Sequence, residues 1–164
     1  MTLGWHEWDG GNIGIFNVET RSLLGHVERH GKSYQVQDGE RLPIAVVASI
    51  NDAGCALADH YQKHREWRQD EDQNEYYVWT EFGLLQVQQE EGSWFVSRNA
   101  GQSLVRDGEV ATFPTPQEAQ SAADAHRSDG PAGSRGSSDG LSWFMYEMLP
   151  GVMYEKLPVD GILN

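Results

Sequence analysis

Residues 16–36 recur sixty positions later as residues 76–96, and this offset constrains the fold more than anything else in the chain. Phe16 maps on Tyr76, Val18 on Val78, Thr20 on Thr80, Leu24 on Leu84, Val27 on Val87, Tyr34 on Trp94 and Val36 on Val96. Aromatic, branched and turn positions agree without a gap over 21 residues, the pattern left by a structural unit present twice. Neither copy is large enough to bury much core alone, so the two are expected to pack as one pseudo-symmetric body.

Within the first copy, a Gly-rich lead-in at Gly10-Gly11-Asn12-Ile13-Gly14 precedes two alternating segments, Ile15 to Thr20 and Leu23 to Glu28, that read as strands. Gly31-Lys32 marks a turn before Ser33 to Gln37, whose alternation sets Tyr34 and Val36 on one face. Pro43 to Ser49 is an apolar run expected as a buried strand, and a helix is expected to start at Asn51 or Asp52. Ala53, Ala56, Leu57, His60, Tyr61 and His64 give that helix its packing stripe. The second copy repeats the plan with strands at Glu75 to Thr80, Leu84 to Gln89 and Ser93 to Arg98. Its helix has the clearest start in the chain: Thr115 can cap it, Pro116 takes the first helical position, and Glu118 closes a capping box. Ala119, Ala122, Ala123 and His126 then form a narrow stripe suited to close approach on a sheet.

The expected class is therefore α+β, with two tandem copies of an antiparallel three- to four-stranded sheet followed by a helix. Residues 1–69 form the first module and 70–127 the second; residues 128–140 are a Gly/Ser linker and 141–164 an aromatic-rich apolar tail. Leu141 to Leu149 reads as two turns of helix ended by Pro150-Gly151. Six Trp, six Tyr and five Phe supply core area that the few Leu and Ile do not, since each buries roughly 150–250 Å².

With 25 acidic against 12 basic side chains the formal charge is −13. A surface this negative repels phosphate, so direct nucleic-acid binding is disfavoured, and the same charge steers the chain toward basic surfaces. Cys55 is the single cysteine, which rules out an intrachain disulfide and fits a reducing cytoplasm; among alanines on a helical stripe it reads as a small buried thiol. The first residues show no basic cap followed by an apolar run, and no stretch approaches the ~18 apolar residues of a membrane span, so neither export nor membrane insertion is expected.

The order of three strands and a helix, closing in Asp107-Gly108-Glu109-Val110-Ala111-Thr112-Phe113-Pro114-Thr115-Pro116-Gln117-Glu118-Ala119, resembles small modules of phage and plasmid accessory proteins. In topology it also resembles the sheet-and-helix units with which phage-integrase arm domains and double-stranded-RNA-binding domains hold nucleic acid. Those units carry Lys or Arg on the contacting surface, whereas the helix from Pro116 to Asp124 has none. The resemblance thus implies a fold and a mobile-element setting, and transfers no binding residue.

Candidate chemistry is sparse. His60 and His64 stand four apart on one helix, with His26 and His30 in the same copy, but the Glu of a zinc-peptidase helix and a supporting Cys pair are absent, so no metal, cofactor or catalytic residue is assigned. Acidic residues remain: Glu66, Asp70, Glu71, Asp72 and Glu75 crowd the junction between copies, and Glu81, Glu90 and Glu91 occupy turns or strand ends of the second. Together with Trp143, Phe144, Met145 and Tyr146 of the tail, the junction acids, Glu90 and Glu91 are the expected partner-binding residues. They point to a non-enzymatic acidic protein that inhibits or sequesters a basic, nucleic-acid-handling protein or nucleoprotein complex, with an anti-restriction or anti-CRISPR role as one form. A structural protein that forms a homodimer through its tail is the alternative, and a small metal-dependent enzyme a third.

Overall fold

Short alternating segments punctuated by glycine and polar turns make this a β-rich chain, and the computed structural model describes residues 2–99, 101–130, 139–145 and 159–163. In chain order the elements are β1 (Leu3–Trp8), β2 (Asn12–Asn17), β3 (Ser22–His30), β4 (Ser33–Asp38), β5 (Pro43–Val47), α1 (Ile50–Lys63), β6 (Arg68–Asp70) and β7 (Glu75–Thr80). There follow β8 (Gly83–Glu90), β9 (Ser93–Arg98), β10 (Gln102–Arg106), β11 (Glu109–Val110), α2 (Pro116–His126), β12 (Leu141–Met145) and β13 (Gly161–Ile162). Among the described residues two antiparallel sheets and two helices result, an α+β arrangement.

The chain divides into two compact units. Unit 1 holds the described residues of Met1–Arg65, Trp79–Gly83 and 159–163; unit 2 holds Glu66–Val78 and the described residues from Leu84 through Met145.

In unit 1 the sheet order is β13-β1-β2-β3-β4-β5, and α1 packs on β3, β4 and β5. Ile13, Ile15, Leu24, Val27 and Val36 meet Ala53, Leu57 and Tyr61 of α1, all but withdrawn from water. Tyr61 is fully buried in this layer. Its hydroxyl donates to Leu24 O and accepts from Gly39 N at 3.0 Å. Gly39 leaves room for the indole of Trp79, where a side chain would collide with the ring. The turn after β2 is held by Asn17, whose Oδ1 accepts from the amides of Glu19 and Thr20 and whose Nδ2 donates to Glu81 O at 2.9 Å.

In unit 2 the order is β11-β10-β9-β8-β7-β6, with β12 paired to β10. Val78, Leu85, Val87, Trp94, Val96 and Leu104 form the inner face, closed by Ala119 and Ala123 of α2 together with Leu141 and Trp143 of β12. The small alanines let the helix backbone approach β9.

Several expectations need correction. Leu3–Trp8 is a strand, and β2 begins at Asn12 within the expected lead-in. Ser33–Asp38 and Ser93–Arg98 match residue for residue at the sixty-position offset, but β7 starts sixty-three positions after β2. The segment Pro43–Val47 is an edge strand and not a buried one; Val46 is 70% exposed, because β5 ends the sheet. The cap of α1 is Ser49, whose Oγ accepts from Asp52 N at 3.1 Å, and Cys55 lies on the exposed side of that helix. The acidic junction contains the strand β6 and a tight turn. Leu141–Met145 is strand and not helix: Leu141 and Trp143 face the core, Ser142 and Phe144 face away, and the period is two.

Candidate functional site

A recess forms in unit 2 where β9 and β10 part. These strands share only the pairs Gln102–Arg98 and Ser103–Ser97, and the chain after β11 wedges into the fork, with Phe113 exchanging backbone hydrogen bonds of 2.8 and 2.9 Å with Trp94. Trp94 and Ala111 turn inward, so Ser93, Phe95, Val110 and Thr112 are left on the outer face. With Ser103, Glu90 and Glu91 they enclose about 320 Å³. Phe95 offers an aromatic wall, three hydroxyls offer hydrogen bonds, and two carboxylates stand at the rim. Among the described residues that line it there is no lysine or arginine.

The rim is built by a two-residue turn. Glu91 has φ +51° and Gly92 φ +81°, the left-handed pair that joins β8 to β9. Such a φ is natural for glycine and unfavourable for glutamate, so the carboxylate at 91 is held in place against its own backbone preference.

The same end of the sheet carries two further turns. Residues 71–74 join β6 to β7, and Asp107-Gly108 joins β10 to β11. Asn74 Nδ2 donates to Gln89 Oε1 at 2.9 Å, which ties the first of these turns to the last strand residues before the groove. Strand direction thus collects Glu71, Asp72, Glu90, Glu91, Asp107 and Glu109 at one end, with the basic Arg106 next to Asp107. Residues far apart in sequence become one acidic edge.

Not every expected acid contributes. Asp70 Oδ1 accepts from the amides of Asp72 and Gln73 at 3.1 and 3.4 Å, fixing the turn. Glu75 is buried and accepts from Gln88 Nε2 at 2.9 Å. Glu66 is exposed between α1 and β6. Glu81 is buried in unit 1, where Arg65 Nη2 reaches its Oε1 at 3.4 Å.

Tail residues divide similarly. Trp143 is a core residue of unit 2; its Nε1 donates to His126 O at 2.7 Å and the Arg98 guanidinium lies 4.4 Å from its ring centre. Phe144 is 46% exposed. Met145 pairs with Gln102 through its backbone, and Tyr146 lies outside the described residues.

Around Trp143 stands a polar cluster that sequence reasoning missed. Arg98 is fully buried: Nε donates to Gln102 Oε1 at 2.7 Å, and Nη1 donates to the carbonyls of Arg127 and Asp129, each at 2.8 Å. Burial works against its charge and lowers its pKa, with Asp129 opposing. His126 is flanked on both nitrogens, Nδ1 by Asp129 Oδ2 at 2.8 Å and Nε2 by Asp139 Oδ2 at 2.7 Å. Burial disfavours the imidazolium, but the hydrogen bonds and charges of Asp139 and Asp129 outweigh it and raise the pKa. With both nitrogens engaged, the ring holds a proton instead of passing one on. These cations sit where the helix dipole of α2 is negative.

The histidines do not converge. His26 and His30 project from the sheet face opposite α1, whereas His60 and His64 are at the C-terminal end of that helix, their ring centres 4.7 Å apart. His60 Nε2 lies 3.5 Å from Asp38 Oδ2. Among the described residues no group of three or more His, Cys, Asp or Glu is placed to hold a metal ion, and no helix is long and apolar enough to cross a membrane. No protein family, no curated protein and no solved structure matches the chain.

Proposed function

We propose that the protein is a non-enzymatic acidic binding protein that sequesters or inhibits a basic, nucleic-acid-handling partner, and that it grips a Lys/Arg-rich segment of that partner through the groove of unit 2. One observation carries the reading: the acidic turns of unit 2 share a sheet end with a recess that has an aromatic wall and two rim carboxylates. A cation against Phe95 gains from the ring face as well as from Glu90 and Glu91, and a charge of −13 steers such a segment inward. Under this reading the tandem offset is a duplication after which the copies diverged. The turn is His30-Gly31-Lys32 in the first and Glu90-Glu91-Gly92 in the second. A mobile-element inhibitor of restriction or CRISPR complexes is one setting for such a protein. Of the described tail aromatics Trp143 is buried and Phe144 exposed.

The test is a titration with a fluorescent arginine-rich peptide at rising salt. Affinity should fall steeply between low and moderate ionic strength, and Glu90→Gln/Glu91→Gln or Phe95→Ala should each weaken it by about tenfold, the effect of roughly 1.4 kcal/mol. Salt-insensitive binding, or affinity unchanged in both variants, would overturn the reading.

A further inference from the structure

Glycines of unit 1 surround the short segment 159–163. Gly4 lies within β1, Gly54 within α1 and Gly161 in β13, and none of them takes a positive φ, so backbone conformation does not require glycine there. Space does. A Cβ on Gly4 would come 2.8 Å from Val159 Cγ1 and 3.0 Å from Val18 Cγ2, one on Gly54 2.7 Å from Leu163 Cδ1, and one on Gly161 2.7 Å from Trp5 Nε1. Glycine inside a strand or a helix weakens that element relative to alanine, so Gly4 and Gly54 are costly choices that seat Val159 and Leu163. The rest of the seat reads backbone. Asp160 N and Leu163 N donate to Trp5 O and Leu3 O at 2.7 and 2.8 Å, and Gly4 and Trp5 pair with Ile162 and Gly161. Beyond this ladder the Asp160 side chain takes over: its Oδ2 accepts from Glu7 N at 2.8 Å and lies 3.1 Å from His6 Nδ1. Ile162, 54% exposed, is the position that the seat leaves unread.

We propose that the β1 edge is a strand-acceptor site for an extended segment of the pattern Val-Asp-Gly-x-Leu, and that its occupant in trans is residues 159–163 of a second copy, exchanged for the chain's own. Backbone pairing at a sheet edge, with notches for particular side chains, is a general way of holding an extended peptide. A second copy matches every one of these contacts by identity, and the strand that has to leave for the exchange is two residues long. The acceptor reads two aliphatic side chains and a carboxylate, which sets it apart from the groove of unit 2 and its Lys/Arg-rich segment; the inference stands without that reading. Salt separates the two as well. The net charge of −13 opposes the meeting of two copies, so exchange strengthens as salt screens that repulsion, whereas the groove loses its cationic peptide.

The experiment mixes two variants of the full chain. Gly54→Leu fills the seat and keeps the segment, while Val159→Ser/Leu163→Ser keeps the seat and spoils the segment. Sedimentation should show each alone as a monomer and the mixture as a one-to-one heterodimer that grows with salt and vanishes when Gly4→Val is added to the second variant. A fluorescent peptide of residues 159–163 should bind the segment variant about tenfold more tightly than the Gly54→Leu chain. Should a variant not fold, the unaltered chain decides: it must bind this peptide about tenfold better than the peptide carrying Leu163→Ser. The proposal is overturned if the mixture stays monomeric, if the heterodimer survives Gly4→Val, or if the peptide does not distinguish the two variants or, on the unaltered chain, the two peptides are bound alike.

Discussion

Tyr61 places one hydroxyl where two backbone groups of unit 1 end, donating to Leu24 O and accepting from Gly39 N. Tyr61→Phe keeps the ring and strands both groups in a buried site, so unfolding free energy should drop by about 1–3 kcal/mol in urea melts. Its position on a helical stripe is readable from spacing; the two partners, thirty-seven and twenty-two residues away, are not. Glu91 makes the opposite case. Glutamate at φ +51° opposes its backbone preference, and Glu91→Asn creates an Asn-Gly turn suited to this geometry. Stability should rise by up to about 1 kcal/mol while affinity for an arginine-rich peptide falls. A variant that gains stability and loses no affinity would mean that the carboxylate has no part in binding.

At the scale of elements, α2 shows what local chemistry can specify. Thr115 Oγ1 accepts from Glu118 N at 3.2 Å and Pro116 opens the helix, as the sequence alone leads one to expect. Thr115→Ala should cost about 1 kcal/mol, measurable as a shift of the denaturation midpoint with unchanged slope. The other end of the same helix is satisfied from a distance, by Trp143 on His126 O and Arg98 on Arg127 O. For β12 a short apolar run fits two periods equally well, and the choice of strand came from the free edge of β10. β1 was hidden for a related reason: Gly4, His6 and Trp8 alternate with Leu3 and Trp5 in a polar context, and its worth as a strand depends on β2 and β13 beside it. Acidic turns were legible one by one; their gathering on one sheet end and the fork that places Phe95 beside them follow from strand order.

For the molecule as a whole, His126 makes stability depend on pH. Its native pKa is raised above the ordinary 6.5, so the contribution is complete below about 6.5 and is lost as pH rises through the native value. Urea unfolding from pH 5.5 to 9 should show stability falling above neutrality with a slope of at most about 1.4 kcal/mol per pH unit, and His126→Gln should flatten it. An unchanged slope in the variant would assign the pH dependence elsewhere. By itself the sequence determined what rests on neighbours within a few positions: the α+β class, the strands Glu75–Thr80 and Ser93–Arg98, the Thr115 cap and the acidic balance. Tertiary structure alone decided which strand filled an open edge, which acid was buried, where Trp143 went and where a groove opened. Turn chemistry and side-chain period act over one or two residues of backbone, whereas an edge, a buried cation or a fork between strands exists only once segments distant in the chain have met.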